Sequence, residues 1–318
     1  MRKSGMTICY SIMIPVLMAL SCGRNNITTL IQVKKIINYP SASGIEYLNG
    51  QLFIIGDDAN NILVLDTSLN VKDSISLYSY PGQRIPKTIK ADLEAIAAYK
   101  DNTVSVLFLF GSGSLSPYRN TGWLYNLQTK NKNSLSLEAL YSQIKHTGIN
   151  EINIEGACFI PGFLILANRG NKAYPMNHLI FTEEKFREKE KDYSITTVPV
   201  GHHNDSSTFS GVSGLAYATQ NDWLILTVST EDTRSSFEDG AIGKSYLWIV
   251  KNISFKKNQQ SISPDRVIDL ESIDRRFKGQ KIESACITGE TKNLISLVLV
   301  ADNDDGSSNI FRMNLVKD

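Results

Sequence analysis

Short apolar runs separated by polar turns recur along the whole chain, and their length and alternation predict β-strands. In the first series, Asn49-Gly50 separates residues 44–48 from residues 51–55, which predicts a hairpin. Residues 62–65 and 71–77 follow as two further predicted strands. Four strands in succession have the size of one blade of a propeller together with its loops.

Four similar series follow, and each of the five opens on a Ser or Glu, then a small residue, then apolar residues. The openings stand 51 to 70 residues apart, near the length of a four-stranded blade plus a loop. The fifth series lacks an outer strand, which residues 28–37 can supply. The predicted fold is therefore all-β, a five-bladed β-propeller closed by an N-terminal strand. The openings are Ser43-Gly44-Ile45, Glu94-Ala95-Ile96, Glu155-Gly156-Ala157, Ser213-Gly214-Leu215 and Glu283-Ser284-Ala285.

The innermost strands of a propeller line its central channel, so equivalent residues of the five openings are expected to meet there. Three carboxylates and two hydroxyls would repel one another electrostatically unless protonated or neutralised, and oxygen ligands in this number suit Ca²⁺. The alternative is that the glutamates accept hydrogen bonds from backbone amides and bind nothing. The predicted calcium ligands are Ser43, Glu94, Glu155, Ser213 and Glu283.

Basic residues are expected around the same mouth of the channel, because the loops joining the second and third strands of each blade lie on that face. A ring of cations around an acidic centre suits an anionic ligand such as a phosphate ester. Arg84 and Arg169 are the preferred substrate-binding residues of this set, although most such charges are simply solvated. The other flanking cations are Lys87, Lys90, Arg119 and Lys244.

The N-terminus has the pattern of a secretory signal. A basic start at Arg2-Lys3 precedes an apolar stretch, and residues 1–21 are predicted to be removed. Cys22 then resembles the lipidated residue of a bacterial lipoprotein, the alternative being ordinary cleavage nearby. The prediction is a single domain over residues 22–318 that is exported, as a periplasmic or outer-membrane lipoprotein in contact with a membrane only through its lipid.

Composition, charge and helical periodicity add to the predictions of fold and function. The 42% hydrophobic content is enough for a substantial core, and the formal net charge of +1 gives no support for nucleic-acid binding. Helical periodicity favours only residues 135–144 and 183–191, both in connections between strands. Cys158 and Cys286 are interpreted as buried small apolar residues rather than a disulfide.

The order Ser, Glu, Glu, Ser, Glu across five blades resembles the calcium-activated apyrases, secreted nucleotidases in which one such residue from each blade gathers around a single Ca²⁺. Residues 155–159, 229–232 and 48–58 are similar to short segments of that family. The sequence departs from the family pattern at Ala59-Asn60-Asn61 and at residues 111–114, where the family's nucleotide-binding residues are expected. Residues 92–96 resemble, more loosely, bacterial propellers of the esterase-like phytase kind.

The resemblance implies hydrolysis of a phosphate anhydride or ester, possible substrates being a nucleotide or another small phosphate ester. Asp57 or Glu231 would act as base or orient water, and the Ca²⁺ would polarise the phosphoryl group. A rival function is a non-catalytic surface propeller that binds a glycan, peptide or protein and keeps Ca²⁺ for structure. A glycosidase with two carboxylates in an open pocket is the third possibility.

Overall fold

The computed structural model describes residues 27–189, 193–201, 209–231, 242–302 and 306–317. These residues form five four-stranded antiparallel sheets, and the predicted five-bladed propeller is confirmed. The strands in chain order are β1 (Thr29–Ile37), β2 (Ala42–Leu48), β3 (Gln51–Gly56), β4 (Asn61–Asp66), β5 (Val71–Ser76), β6 (Leu93–Lys100), β7 (Ser105–Gly111), β8 (Thr121–Asn126), β9 (Lys132–Ser136), β10 (Ile154–Ile160), β11 (Phe163–Asn168), β12 (Asn177–Glu183), β13 (Ile195–Val200), β14 (Ser210–Ala218), β15 (Trp223–Glu231), β16 (Ile242–Lys251), β17 (Arg266–Asp269), β18 (Lys281–Glu290), β19 (Leu294–Asp302) and β20 (Ser307–Val316).

Four blades are built from consecutive strands, β2–β5, β6–β9, β10–β13 and β14–β17, and we number them one to four. The fifth blade consists of β18, β19 and β20 with β1 as its outer strand. β1 pairs antiparallel with β20 in a register that runs from Thr29 opposite Asn314 to Ile37 opposite Ser307. The predicted N-terminal closure is therefore confirmed, and it pairs two sheet edges that would otherwise be open.

The hydrophobic core is divided into five clusters, one between each pair of neighbouring blades. Phe53 belongs to the cluster between blades one and two, and Phe110 to the cluster between blades two and three. Both side chains are at most 2% exposed. Because each sheet buries both faces against its neighbours, its inner strands are apolar almost throughout.

The two predicted helices are displaced or shortened. Residues 135–136 belong to β9, where Leu135 pairs with Gly122, and the helix α1 begins only at Glu138 (Glu138–His146). In the second segment a single 3₁₀ turn covers Phe186–Lys189. A short helix α2 covers Leu270–Ile273. Among the described residues, no helix has the length and apolar character needed to cross a membrane.

Each of the five inner strands contains a β-bulge, and the bulged residue is in every case the Ser or Glu of the repeat. The pairing register shifts on either side of Ser43, Glu94, Glu155, Ser213 and Glu283. A bulge inserts one unpaired residue and re-aims its side chain. The repeat in the sequence is therefore the signature of one backbone irregularity placed equivalently in five blades.

The small residue after each bulge allows neighbouring inner strands to approach closely. A Cβ built on Gly156 would lie 2.9 Å from the backbone of Gly214 in the next blade, and one built on Gly214 would lie 2.8 Å from the carbonyl of Glu283. Distances below 3.0 Å to backbone atoms cannot be relieved by rotating a side chain. Packing between blades thus restricts the second position of the repeat to glycine at Gly156 and Gly214.

We expect Gly214→Ala to lower the free energy of unfolding by about 1–3 kcal/mol, because the added methyl group overpacks the contact between blades four and five. The matched control is Gly289→Ala, where the nearest atoms, those of Ser296, would lie 3.8 Å from the new Cβ. Urea denaturation of both variants measures the difference. Equal stability of the two variants would contradict this account of the repeat.

Candidate functional site

Two of the predicted calcium ligands, Ser43 and Ser213, join neighbouring blades. The hydroxyl of Ser43 donates a hydrogen bond to the carbonyl of Leu93, and that of Ser213 donates to the carbonyl of Ile282 at 2.7 Å. Each acceptor directly precedes the bulge glutamate of the next blade. Both hydroxyl protons are therefore used in hydrogen bonds between blades, while each hydroxyl oxygen keeps a lone pair for a further contact.

An acidic corner forms where blades one and two meet. It consists of Asp57 after β3, Asp92 before β6, and Glu94 in the bulge of β6. One carboxylate oxygen from each residue lies within 4.8 Å of the others. The Lys90 ammonium contacts both Asp57 and Asp92, at 2.7 Å from the Asp92 carboxylate. Burial lowers the pKa of Lys90, but the surrounding carboxylates outweigh that effect and raise it overall.

Asp92 is held by a buried arginine as well. Arg119 is 2% exposed, and its Nη1 donates to Asp92 Oδ2 and to Ser114 Oγ, both at 2.6 Å. The hydroxyl of Ser112 donates to the same Asp92 oxygen at 2.5 Å. The aspartate is thus a fixed and largely neutralised part of the corner.

Glu94 differs from the other carboxylates of the corner because no hydrogen-bond donor contacts its carboxylate within the described part of the chain. Burial raises its pKa well above the usual range, and the neighbouring charges of Glu155, Asp92 and Asp57 raise it further, while Lys90 acts in the opposite direction. Glu94 and Glu155 therefore lie close enough to interact, as expected for residues facing one channel. A cation near Glu94 would relieve this repulsion.

The other two bulge glutamates have basic neighbours of their own. Glu155 accepts a hydrogen bond from Asn153 at 2.8 Å, and Arg169 Nη1 lies 4.0 Å from its second oxygen. Glu283 is 5% exposed and pairs with Lys281 at 3.0 Å. The acidic centre predicted from the sequence therefore also contains lysine and arginine side chains that contact its glutamates.

The two predicted substrate-binding arginines already have acidic neighbours. Arg84 Nε donates to Asp58 at 2.6 Å, although its side chain is 49% exposed. Arg169 is buried at 6% exposure, and its Nη2 donates to Ser229 at 3.2 Å. Of the other flanking cations, Lys244 pairs with Asp269 at 2.7 Å. Five of the six predicted cations therefore lie within 4.0 Å of a carboxylate: Arg84, Lys90, Arg119, Arg169 and Lys244.

Some predicted residues lie outside the described structure. Cys22 precedes the first described residue, and the same holds for the signal segment. Glu231 ends β15, but its side chain is not described. Both Cys158 and Cys286 are buried free thiols, as predicted. Sequence reasoning missed Asp92, whose φ of 57° turns the chain immediately before β6.

The oxygen donors of the acidic corner fit a hard cation such as Ca²⁺. Besides the Glu94 carboxylate, Asp57 Oδ1 is buried and has no hydrogen-bond partner in the described structure. Lys90 already supplies one positive charge to Asp57 and Asp92, so an ion at this place would have to displace the ammonium or bind closer to Glu94 and Glu155.

Residues 38–315 match the model of a family described as "Family of unknown function (DUF6929)", and the chain belongs to that family. Among curated proteins, none matches the chain. A glutaminyl cyclase structure from Myxococcus xanthus is 11% identical, with 92% of this chain and 97% of that chain covered and a TM-score of 0.53. This likeness agrees with the propeller fold and shows no more than the fold.

Two further solved structures match at lower TM-scores. Virginiamycin B lyase from Staphylococcus aureus is 8% identical, with 88% of this chain and 98% of that chain covered and a TM-score of 0.41. A candidate exported protein of Bacteroides fragilis is 12% identical, with 92% and 95% covered and a TM-score of 0.42.

Proposed function

We propose that the protein is an exported, lipid-anchored propeller that binds one Ca²⁺ at the acidic end of its channel and hydrolyses a phosphate ester or anhydride there. The observation that supports this most is Glu94, a partly buried carboxylate without a hydrogen-bond donor among the described residues and with other acidic groups around it. Glu155 and Glu283 would share the ion with Glu94, and the oxygens of Ser43 and Ser213 would complete the ring.

When bound, Ca²⁺ would supply positive charge that polarises a phosphoryl oxygen. Asp57 would accept a proton from water or orient it, and its Oδ1, which has no hydrogen-bond partner in the described structure, supports this role. Arg169 lies 4.0 Å from Glu155, a long contact that it can exchange for a phosphate oxygen. Arg84 is half exposed and can turn from Asp58 towards an anion at the mouth.

Calorimetric titration of Ca²⁺ into chelator-treated protein tests the site. We expect one ion per chain, with an affinity at least about tenfold weaker in Glu94→Gln because a charged ligand is lost. Glu138→Gln, which removes an exposed carboxylate at the start of α1, is the matched control and should bind like the unaltered protein. Absence of binding, or equal affinity in both variants, would refute the calcium site.

A surface propeller that binds a partner and uses Ca²⁺ only for stability is the second candidate. The contacts that Arg84 and Arg169 make with Asp58 and Ser229 favour it, because substrate phosphates would have to compete with them. A panel of nucleotides and phosphate monoesters, assayed with and without chelator, separates the two functions. Calcium-dependent turnover of any member supports hydrolysis, whereas calcium binding without turnover supports the binding propeller.

A further inference from the structure

A cavity, which we call the far cavity, lies towards the carboxyl ends of the inner strands, at the opposite end of the channel from the bulges. Its volume is about 350 Å³, and all five blades line it. At about 3.3 Å per residue, four residues of strand place it on the order of 13 Å from the bulge ring. The residue four positions after the bulge lines it in every blade: Tyr47, Ala98, Phe159, Tyr217 and Ile287.

Glu46 contributes a carboxylate to the lining of the far cavity. It stands three residues after the bulge of blade one, where the other blades have small residues: Ala97, Cys158, Ala216 and Cys286. Its two oxygens accept hydrogen bonds from the backbone amides of Tyr47 at 2.8 Å and of Ala98 at 3.1 Å. The carboxylate is therefore held in place by blades one and two.

The charges around the far cavity are of one sign. Its lining residues include Glu46 and Glu290 but no lysine, arginine or histidine. Glu290 is compensated from outside the lining, because Lys317 pairs with it at 2.8 Å. Within the described part of the chain, Glu46 receives neutral backbone donors alone, and burial raises its pKa to about 7. An anion would be repelled here, and a cation would be attracted.

Aromatic rings form much of the wall, with Tyr47, Phe159 and Tyr217 contributed by three different blades. Phe159 is fixed by edge contacts with Tyr99 and Phe108, whose ring centroids lie 5.3 and 5.1 Å from its own. The hydroxyl of Tyr217 donates to Asp222 at 3.1 Å, which fixes the second ring. Rigid rings beside a carboxylate are the surroundings in which proteins bind quaternary and primary ammonium groups.

We propose that the far cavity binds a compact organic ammonium ion, with the Glu46 carboxylate as counter-ion and the three rings as its wall. A metal ion is disfavoured, because backbone amides already occupy a lone pair on each Glu46 oxygen and aromatic carbons supply no ligands. A neutral ligand would leave the partly buried Glu46 charge with backbone hydrogen bonds but without a counter-ion. This site is separate from the calcium site and does not depend on hydrolysis.

Calorimetric titration at pH 8 with choline and with its neutral carbon analogue, 3,3-dimethylbutan-1-ol, tests the charge requirement. We expect saturable binding of one choline per chain and at least about tenfold weaker binding of the neutral analogue. Tetramethylammonium and propylammonium extend the test to other ammonium types. No binding of any of the three cations, or equal affinity for choline and its neutral analogue, would overturn the proposal.

Substitutions locate the binding site. Glu46→Gln keeps the shape and should weaken choline binding at least about tenfold, because the charged contact is lost. Glu138→Gln, which removes an exposed carboxylate at the start of α1, is the matched control and should leave choline binding unchanged. If Glu46→Gln does not fold, Phe159→Leu takes its place and should weaken choline more than the neutral analogue. Choline affinity that is unchanged in the first variant, or lowered equally in Glu138→Gln, contradicts this placement.

Discussion

Replacing Arg119 by methionine is expected to lower the free energy of unfolding by about 3–5 kcal/mol. The side chain is 2% exposed and donates to both Asp92 and Ser114 at 2.6 Å. Methionine fills a similar volume but supplies no donor, so Asp92 remains buried in an acidic corner, and among the described residues Lys90 is its one remaining ion-pair partner. Removing one partner of a buried pair costs far more than removing an exposed one, and urea denaturation measures the loss.

Arg276→Met is the matched control for this prediction. Arg276 also pairs with an aspartate, Asp274, at 2.8 Å, but its side chain is 49% exposed. Exposed pairs of this kind contribute little to stability, and salt reduces that contribution further. If the two variants lose the same stability, Arg119 does not compensate Asp92 in the way the structure indicates.

The fold could be predicted because its determinants are periodic in the sequence. Alternating apolar residues, the Asn49-Gly50 turn and the five repeats are local signals, and each recurs once per blade or fixes one hairpin. Closure of the propeller by β1 could be predicted because the fifth series lacks an outer strand and a predicted strand near the N-terminus belongs to no other blade. The helix boundaries near residues 135–138 were wrong because pairing of Leu135 with Gly122 outweighs helical periodicity.

The chemistry of the channel mouth could be predicted only in part. The repeat correctly marks one equivalent position in every blade. The β-bulge at that position depends on how the strands pair, and the residue types alone do not predict it. Asp92 joins the acidic corner through a left-handed backbone conformation, with φ of 57°. The basic partners of the acids, Lys90 and Arg119, were expected to face a ligand and instead contact Asp92.

Glu46 was not singled out from the sequence because an isolated polar residue in an alternating strand normally faces solvent. Its position becomes informative only when the blades are superimposed on their bulges. Small residues then stand at the equivalent position of the other four blades, including Cys158 and Cys286, whose thiol pKa values are raised by burial and further by Glu46. The remaining titratable groups that line the same cavity are Tyr47, Tyr217 and Glu290.

Stability is expected to fall as the pH rises from about 4.5 to about 7 because of Glu46. Burial raises its pKa in the folded protein from 4.5 to about 7. Below pH 4.5 both folded and unfolded chains carry the proton, and this contribution to stability is fully present. Between the two values the unfolded chain ionises first, so the folded state loses about 2–3 kcal/mol, part of the full effect being screened by water in the cavity.

Glu46→Gln isolates this contribution, since glutamine keeps the side-chain shape and does not titrate. Urea denaturation of both proteins between pH 4.5 and pH 8 gives the difference in stability at each pH, in which other titrating groups cancel. The free energy of unfolding of the variant should rise relative to that of the unaltered protein as the pH rises to 7. Above pH 7 the difference should level off. Parallel stability profiles across this range would mean that Glu46 titrates as in the unfolded chain, and that the far end of the channel does not bury a carboxylate.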